Sequence, residues 1–268
     1  VATINGGSLH IVAGLGEEGD GIDSNGYLVI RGGTVVSAAH PASDAGLDSD
    51  LGSYVHGGTV IALGSTMDWA ESDSQQVTMN LQFAQQNSGS LVVIDEQGGV
   101  VFAYDPAADE YLGENRRAFT GAVISCPNFQ VGQTYQLYVG SAVAGSETGG
   151  VYDAATVTGF EGGSRMMYTG SDLRGHGGLG GGRPHQGERP EGKRPAMPDG
   201  EMPTMPDGEK PDFPLGQMPE GERPEKAEGE RPEGFDGGRQ PQTAPGEGNT
   251  LFFMQDQVNA FTGITAAP

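Results

Sequence analysis

Apolar and polar positions alternate over short stretches of this chain, and the helical 3.6-residue period is absent. From Val1 to Gly58 the alternation repeats itself. Ile4-Asn5-Gly6-Gly7, Ile30-Arg31-Gly32-Gly33 and Val55-His56-Gly57-Gly58 share an apolar-x-Gly-Gly signature, so the pattern returns from Ile4 to Ile30 to Val55. A period of roughly 25 residues marks a solenoid. Each signature leads into a short run (Ser8 to Val12, Thr34 to Val36, Thr59 to Ile61) that reads as a strand. With a strand rise of about 3.3 Å per residue, one such period makes a coil of three short strands joined by glycine-rich corners. Residues 1–62 are therefore expected to form parallel β-helix coils.

Past residue 58 the repeat stops, and strand-like runs of other spacing follow: Val77 to Phe83, Leu91 to Asp95, Val100 to Tyr104, Ala122 to Ser125 and Thr134 to Val139. Gln97-Gly98-Gly99 between two of them is a hairpin signal, since glycine accepts the positive φ of a tight turn. A solenoid end needs closing, so residues 63–170 are expected to form a small antiparallel β cap. Residues 171–249 then become repetitive and hold 13 of the 17 prolines. Such a stretch buries too little apolar surface to offset its ordering entropy and is expected to be disordered. Apolar residues return at Leu251 to Met254 and Val258 to Ile264, predicting a terminal strand over 250–268 that docks on the cap. The fold class expected is all-β.

Composition narrows the functional classes. Acidic residues outnumber basic ones 36 to 14, so the chain repels phosphate backbones and nucleic acid is excluded as a partner. No apolar run is long enough for a membrane span. Val1 begins mid-pattern, as a processed or truncated N-terminus would. The lone Cys126 cannot make an internal disulfide.

The chemistry worth testing lies in the acidic corners. Gly19-Asp20-Gly21-Ile22-Asp23-Ser24-Asn25-Gly26 has a counterpart one period on, where Asp44 precedes Ala45-Gly46-Leu47-Asp48-Ser49-Asp50. Asp23 and Asp48 would stack about 4.8 Å from each other, and two like charges so close call for a cation. Arg31 is the only basic side chain, histidine aside, before Arg116. Oxygen ligands without cysteine or paired histidine favour Ca²⁺, with Asp20, Asp23, Asn25, Asp44, Asp48 and Asp50 as candidate ligands. The same Asp and Asn residues also serve as ordinary turn formers, which is the competing account.

Gly19 to Gly26, Ile30 to Val36 and Gly57 to Ala62, followed by Ser90 to Asp95, Val123 to Pro127 and Gly132 to Gly140, together resemble the carbohydrate-binding domain family typified by a clostridial cellulose- and acidic-sugar-binding protein. The resemblance covers roughly residues 4 to 160. It implies a right-handed parallel β-helix similar to that of pectate lyases, bound calcium, secretion or cell-surface attachment, and polysaccharide binding without known cleavage. The chain departs from the family in lacking N-terminal coils and in an enlarged loop from Asp109 to Arg117.

Tyr27, Tyr54 and Trp69 are the candidates for stacking on cellulose or other glycans. Acidic glycans would need a bridging cation, because the surface is negative. A polysaccharide lyase, the enzymatic alternative, needs a base beside the substrate carboxylate. All three lysines (Lys193, Lys210, Lys226) lie in the low-complexity stretch, and arginine is a poor base. The expectation is a binder with no catalytic residues. The remaining alternative is a surface adhesion protein that self-associates through its open β edge or contacts the cell wall through the low-complexity segment.

Overall fold

The computed structural model describes residues 1–13, 19–41, 44–65, 68–112, 118–171 and 248–268. Residues 172–247 of the low-complexity stretch, and Arg116 and Arg117, lie outside them. The chain is all-β: among the described residues the regular elements are strands, with one short 3-10 turn at Ala154–Thr156.

The first eight strands are β1 (Ala2–Ile4), β2 (Ser8–Val12), β3 (Ile22–Ser24), β4 (Tyr27–Ile30), β5 (Thr34–Ala38), β6 (Leu47–Ser49), β7 (Gly52–Val55) and β8 (Thr59–Gly64). They form three parallel ladders, β1-β4-β7, β3-β6 and β2-β5-β8. Ile4 pairs with Ile30 and Ile30 with Val55; Leu9 pairs with Val35 and Val35 with Val60; Asp23 pairs with Asp48. The chain thus returns to the next rung at the spacing of the glycine signature. Glycine is required at the corners for two reasons at once. Gly33 and Gly58 have φ of +87° and +92°, and a Cβ on Gly58 would sit 2.5 Å from the carbonyl oxygen of Gly33 one rung away.

The later strands are β9 (Thr78–Asn87), β10 (Leu91–Ile94), β11 (Val100–Tyr104), β12 (Phe119–Ser125), β13 (Thr134–Ala144), β14 (Glu147–Thr148), β15 (Val151–Tyr152), β16 (Gly159–Met167), β17 (Phe252–Phe253) and β18 (Val258–Ala266). They do not make a small separate cap. They join the third ladder in one mixed sheet of 13 strands, with β17 pairing off the main path: β14-β15-β11-β10-β13-β16-β18-β9-β12-β8-β5-β2. The junction is β8 with β12, antiparallel, with Ile61 opposite Ile124 and Ala62 opposite Val123. A division at residue 62 therefore falls inside a strand. β18 lies parallel to β9, with Phe261 opposite Leu81, and antiparallel to β16.

Of three buried clusters, the two larger share a wall, and the third is built on Val92, Ile94 and Ala103. Leu28, Ile30, Leu47, Val35, Val55, Val60 and Ala62 pack together inside the coils. From the opposite face of the same strands, Val36, Ala38, Ile61 and Leu63 join a larger core with Leu81, Phe119, Leu137, Phe252 and Phe261. Polar ties close the seam. Gln76 Nε2 donates to the Gly58 carbonyl (2.6 Å) and to Ser125 Oγ (2.8 Å), and Ser125 Oγ donates to the Val77 carbonyl (2.8 Å). Among the described residues no helix is long and apolar enough to cross a membrane.

Candidate functional site

The outer face of the β1-β4-β7 ladder follows from strand alternation. Leu28, Ile30 and Val55 point inward, which leaves Tyr27, Val29 and Arg31 on β4 and its end, and Gly52, Tyr54 and His56 on the next rung, facing outward. The register sets Tyr27 opposite Gly52 and Val29 opposite Tyr54. Gly52 carries no side chain and has φ of +117°; a Cβ there would meet Tyr54 Cε2 at 3.2 Å and Glu71 Cγ at 2.9 Å. The Tyr54 ring uses that space and reaches Tyr27, with ring centroids 6.0 Å apart. His56 continues the row, 6.1 Å from Tyr54. The interplanar angles are 59° and 54°, so the three rings form a faceted ridge and not a flat platform.

His56 has a defined protonation state. Burial first, and then the Arg31 charge, hold its pKa below the ordinary histidine value, so it is neutral at pH 7. The Gln75 backbone N–H donates to His56 Nδ1 (3.3 Å), which leaves the proton on Nε2. Arg31 and Glu71 are exposed beside this ridge. Trp69 stands elsewhere in the packing. It is half-buried against the core of the coils, and the neighbouring Ala70 backbone is clamped by both ends of the Asn80 amide.

The six candidate metal ligands divide into three kinds. Asp20 and Asp44 are tied to backbone one rung away: Ala45 N–H donates to Asp20 Oδ1 and Gly19 N–H to Asp44 Oδ2, each at 2.7 Å. Asn25 and Asp50 are exposed at the following corners. Asp23 and Asp48 are opposite one another on β3 and β6. The Asp48 carboxyl is pushed above the ordinary value by burial first and then by Asp20, Asp68 and Asp23. Asp68 is raised too, chiefly by burial, although it accepts from Ser49 N–H (3.0 Å) and Ser49 Oγ (2.7 Å). Calcium takes six to eight oxygens, and among the described residues no three acidic, His or Cys side chains gather into a group that could hold a metal. The set supplies a pair of neighbouring carboxylates and not a coordination cage.

A second polar cluster had no sequence signal. Asp109 Oδ2 accepts from Tyr104 OH (3.0 Å) and lies 3.4 Å from His10 Nδ1, while Asp109 Oδ1 accepts from the Tyr111 backbone N–H (3.0 Å). The His10 ring stacks on Tyr111 at 4.4 Å and packs so closely on Gly149 that no Cβ would fit there. This resembles a histidine–carboxylate catalytic pair, but the two side chains are 5% and 0% exposed. Burial and the adjacent Asp109 push the Tyr104 pKa upward, so its hydroxyl acts as a neutral donor. The cluster bolts β2 to the 105–112 loop. Cys126 is likewise buried, its thiol pushed up to about 11 by desolvation.

Spacing placed Tyr27 and Tyr54 side by side, as their rings are, and left out their neighbours His56, Gly52 and Glu71, and Asp68 near Asp48. His56 was within reach, because it is the second residue past Tyr54 and so lies on the same strand face. Asp68 was not, since its distance from Asp48 along the chain falls short of a full coil. The chain matches no known protein family, no curated protein and no solved structure.

Proposed function

We propose that this chain is a non-catalytic, extracellular polysaccharide-binding module whose ligand lies along the outer face of the β1-β4-β7 ladder. The observation that carries this reading is the Tyr27–Tyr54–His56 row, with Tyr27 exposed and Tyr54 and His56 half-buried, on a strand face whose other side is core. Sugar rings present apolar C–H faces that aromatic rings cover, and a polar edge that hydrogen-bonding groups meet. His56 Nε2–H, the tyrosine hydroxyls, Arg31 and Glu71 supply that edge. Tilted rings suit a single glycan strand better than a flat crystalline cellulose surface. Trp69 drops out of the reading because it packs on the core.

Residues 1–62 are read as a right-handed parallel β-helix, a reading supported by the three ladders and their regular return from rung to rung. In this reading calcium has a structural role. At Asp23 and Asp48 a divalent cation relieves like-charge repulsion between successive coils, with the remaining ligands left to water. The absence of catalysis in the proposal is supported by the state of the acid–base groups: Asp20, Asp44 and Asp68 are hydrogen-bonded, and His10 and Asp109 are buried.

Glycan-array and titration binding, with and without EDTA, tests the reading. Tyr27→Ala and Tyr54→Ala are each expected to weaken binding about three- to tenfold. Unchanged binding by the double variant would overturn it. Self-assembly through a β edge is the second reading, favoured by β14, which ends the 13-stranded sheet. A sedimentation coefficient independent of concentration would dismiss it.

A further inference from the structure

The side-chain amides of the described asparagines fall into two groups. Asn80 bonds the Ala70 backbone through both ends of its amide, and Asn259 does the same with Asp256. Asn87 Nδ2 donates to the Gln85 carbonyl (2.9 Å), Asn128 Nδ2 to the Val101 carbonyl (2.9 Å) and Asn249 Nδ2 to Tyr168 OH (3.3 Å). Asn5 and Asn25, at two corners of the coils, are exposed, and among the described residues no hydrogen bond holds either amide. Of all these asparagines, these two are the ones followed by glycine.

That coincidence has a chemical meaning. The backbone nitrogen after an asparagine can close a five-membered ring on the side-chain carbonyl, and an intramolecular attacker acts at a very high effective concentration. Glycine leaves that nitrogen unshielded and its backbone free to turn. A Cβ on Gly6 would meet nothing within 4 Å, and one on Gly26 would meet only the Val1 nitrogen, at 3.4 Å. A hydrogen-bonded amide must first be freed, which handicaps the other five.

We propose that Asn5 and Asn25 are sites of self-catalysed deamidation, and that Arg31 assists the reaction at Asn5. The glycine nitrogen attacks the asparagine Cγ, a C–N bond forms, and the bond from Cγ to the side-chain nitrogen breaks. The proton lost by the glycine N–H ends on the departing ammonia, leaving a succinimide. Water opens that ring at either carbonyl to give aspartate or isoaspartate. Nothing is oxidised or reduced, and each event replaces a neutral amide by a carboxylate.

The register supplies the assistance. Ile4 pairs with Ile30, so Asn5 and Arg31 are stacked neighbours on adjacent rungs, about 4.8 Å apart along the ladder. The attacking nitrogen and the tetrahedral intermediate are anionic, and a guanidinium beside them lowers the barrier. Asn25 lies beyond the other end of β4 from Arg31 and does without it. There the consequence is structural. The Ser24 and Gly26 carbonyls on either side of Asn25 accept from the Asp50 and Leu51 N–H groups (3.0 and 3.2 Å), and an isoaspartate inserts a methylene into the backbone between them.

The test is incubation of the full chain in mildly alkaline buffer, read by tandem mass spectrometry that assigns each conversion to a position and separates aspartate from isoaspartate. Conversion is expected at Asn5 and Asn25 well ahead of Asn87 and Asn128. Arg31→Gln is expected to slow Asn5 about two- to fivefold, the range of one exposed charge pair, with Asn25 in the same molecule as an unchanged reference. High salt is expected to reproduce part of that slowing in the unmutated chain. Gly6→Ala and Gly26→Ala are each expected to suppress conversion at the preceding asparagine only. Conversion at Asn5 and Asn25 no faster than at Asn87 and Asn128 overturns the site assignment. An Asn5 rate, relative to Asn25, that survives Arg31→Gln overturns the role of Arg31.

Discussion

The β1-β4-β7 and β2-β5-β8 ladders are built by the same coils with the same return length, yet one faces solvent and the other has protein on both sides. Their inner faces are alike, with Leu28, Ile30 and Val55 in one and Val35 and Val60 in the other, all at most 1% exposed. Their outer faces diverge. Tyr27 is 41% exposed, whereas Val36, Ala38, Ile61 and Leu63 are fully buried under the rest of the mixed sheet. Strands buried on both faces read as continuous apolar runs, and Val60-Ile61-Ala62-Leu63 is one. The lesson is that the same return can leave one wall wet and bury another on both faces, and the outward residues decide which.

That contrast can be broken most severely at the shared wall. Ile61→Ala is expected to destabilise the chain by about 2–5 kcal/mol, because it opens a cavity in the larger core. Tyr54→Ala, on the other wall, is expected to cost less than about 1 kcal/mol, the difference showing in parallel denaturant titrations. Equal losses would mean that both walls are structural.

A middle-sized effect is expected at the corners. Gly7, Gly33 and Gly58 all have positive φ, but a Cβ on Gly7 meets nothing within 4 Å whereas one on Gly58 meets the Gly33 backbone. Gly7→Ala is therefore expected to cost about 1–2 kcal/mol for the left-handed backbone alone. Gly58→Ala adds a clash to that strain and lowers Tm further. Matching melting temperatures for the two variants would show that the stacked corner yields.

The smallest effect concerns the acidic edge. Asp48 is raised above its ordinary pKa, so in the window between the two values the folded chain holds a proton that the unfolded chain has lost. Its contribution to stability is full below the unfolded pKa and is lost as pH rises through the folded one. In EDTA, Asp48→Asn is expected to raise stability at about pH 7 by less than about 1 kcal/mol, since the group is only partly buried and solvent screens it. The gain should vanish near about pH 4 and shrink when millimolar calcium is added. An Asp48→Asn chain that melts like wild type at both pH values would remove the case for repulsion at this edge.

The coil-to-coil return, the all-β class and the register of Asp23 with Asp48 were legible because they are local. Each is written in glycine spacing and side-chain alternation within one or two coils. The fate of a carboxylate was less so: Asp20 and Asp44 look like Asp23 in the sequence, but backbone N–H groups one rung away bind the first two. Asp68 and Trp69 fall where the repeat has already lapsed, so spacing could not assign them.

What the sequence determined by itself is where the strands and corners of the repeating segment lie, since φ-tolerant glycine and period-two alternation act over a short reach of chain; β16 (Gly159–Met167) carries no such alternation and was not read from it. The tertiary structure alone decided what covers each outward face. Ile61 meets Ile124, Leu81 meets Phe261 and His10 meets Asp109, each pair far apart along the chain. Apolar surfaces recognise one another without direction, so a buried outer face and a wet one carry the same strand signal until the distant partner arrives.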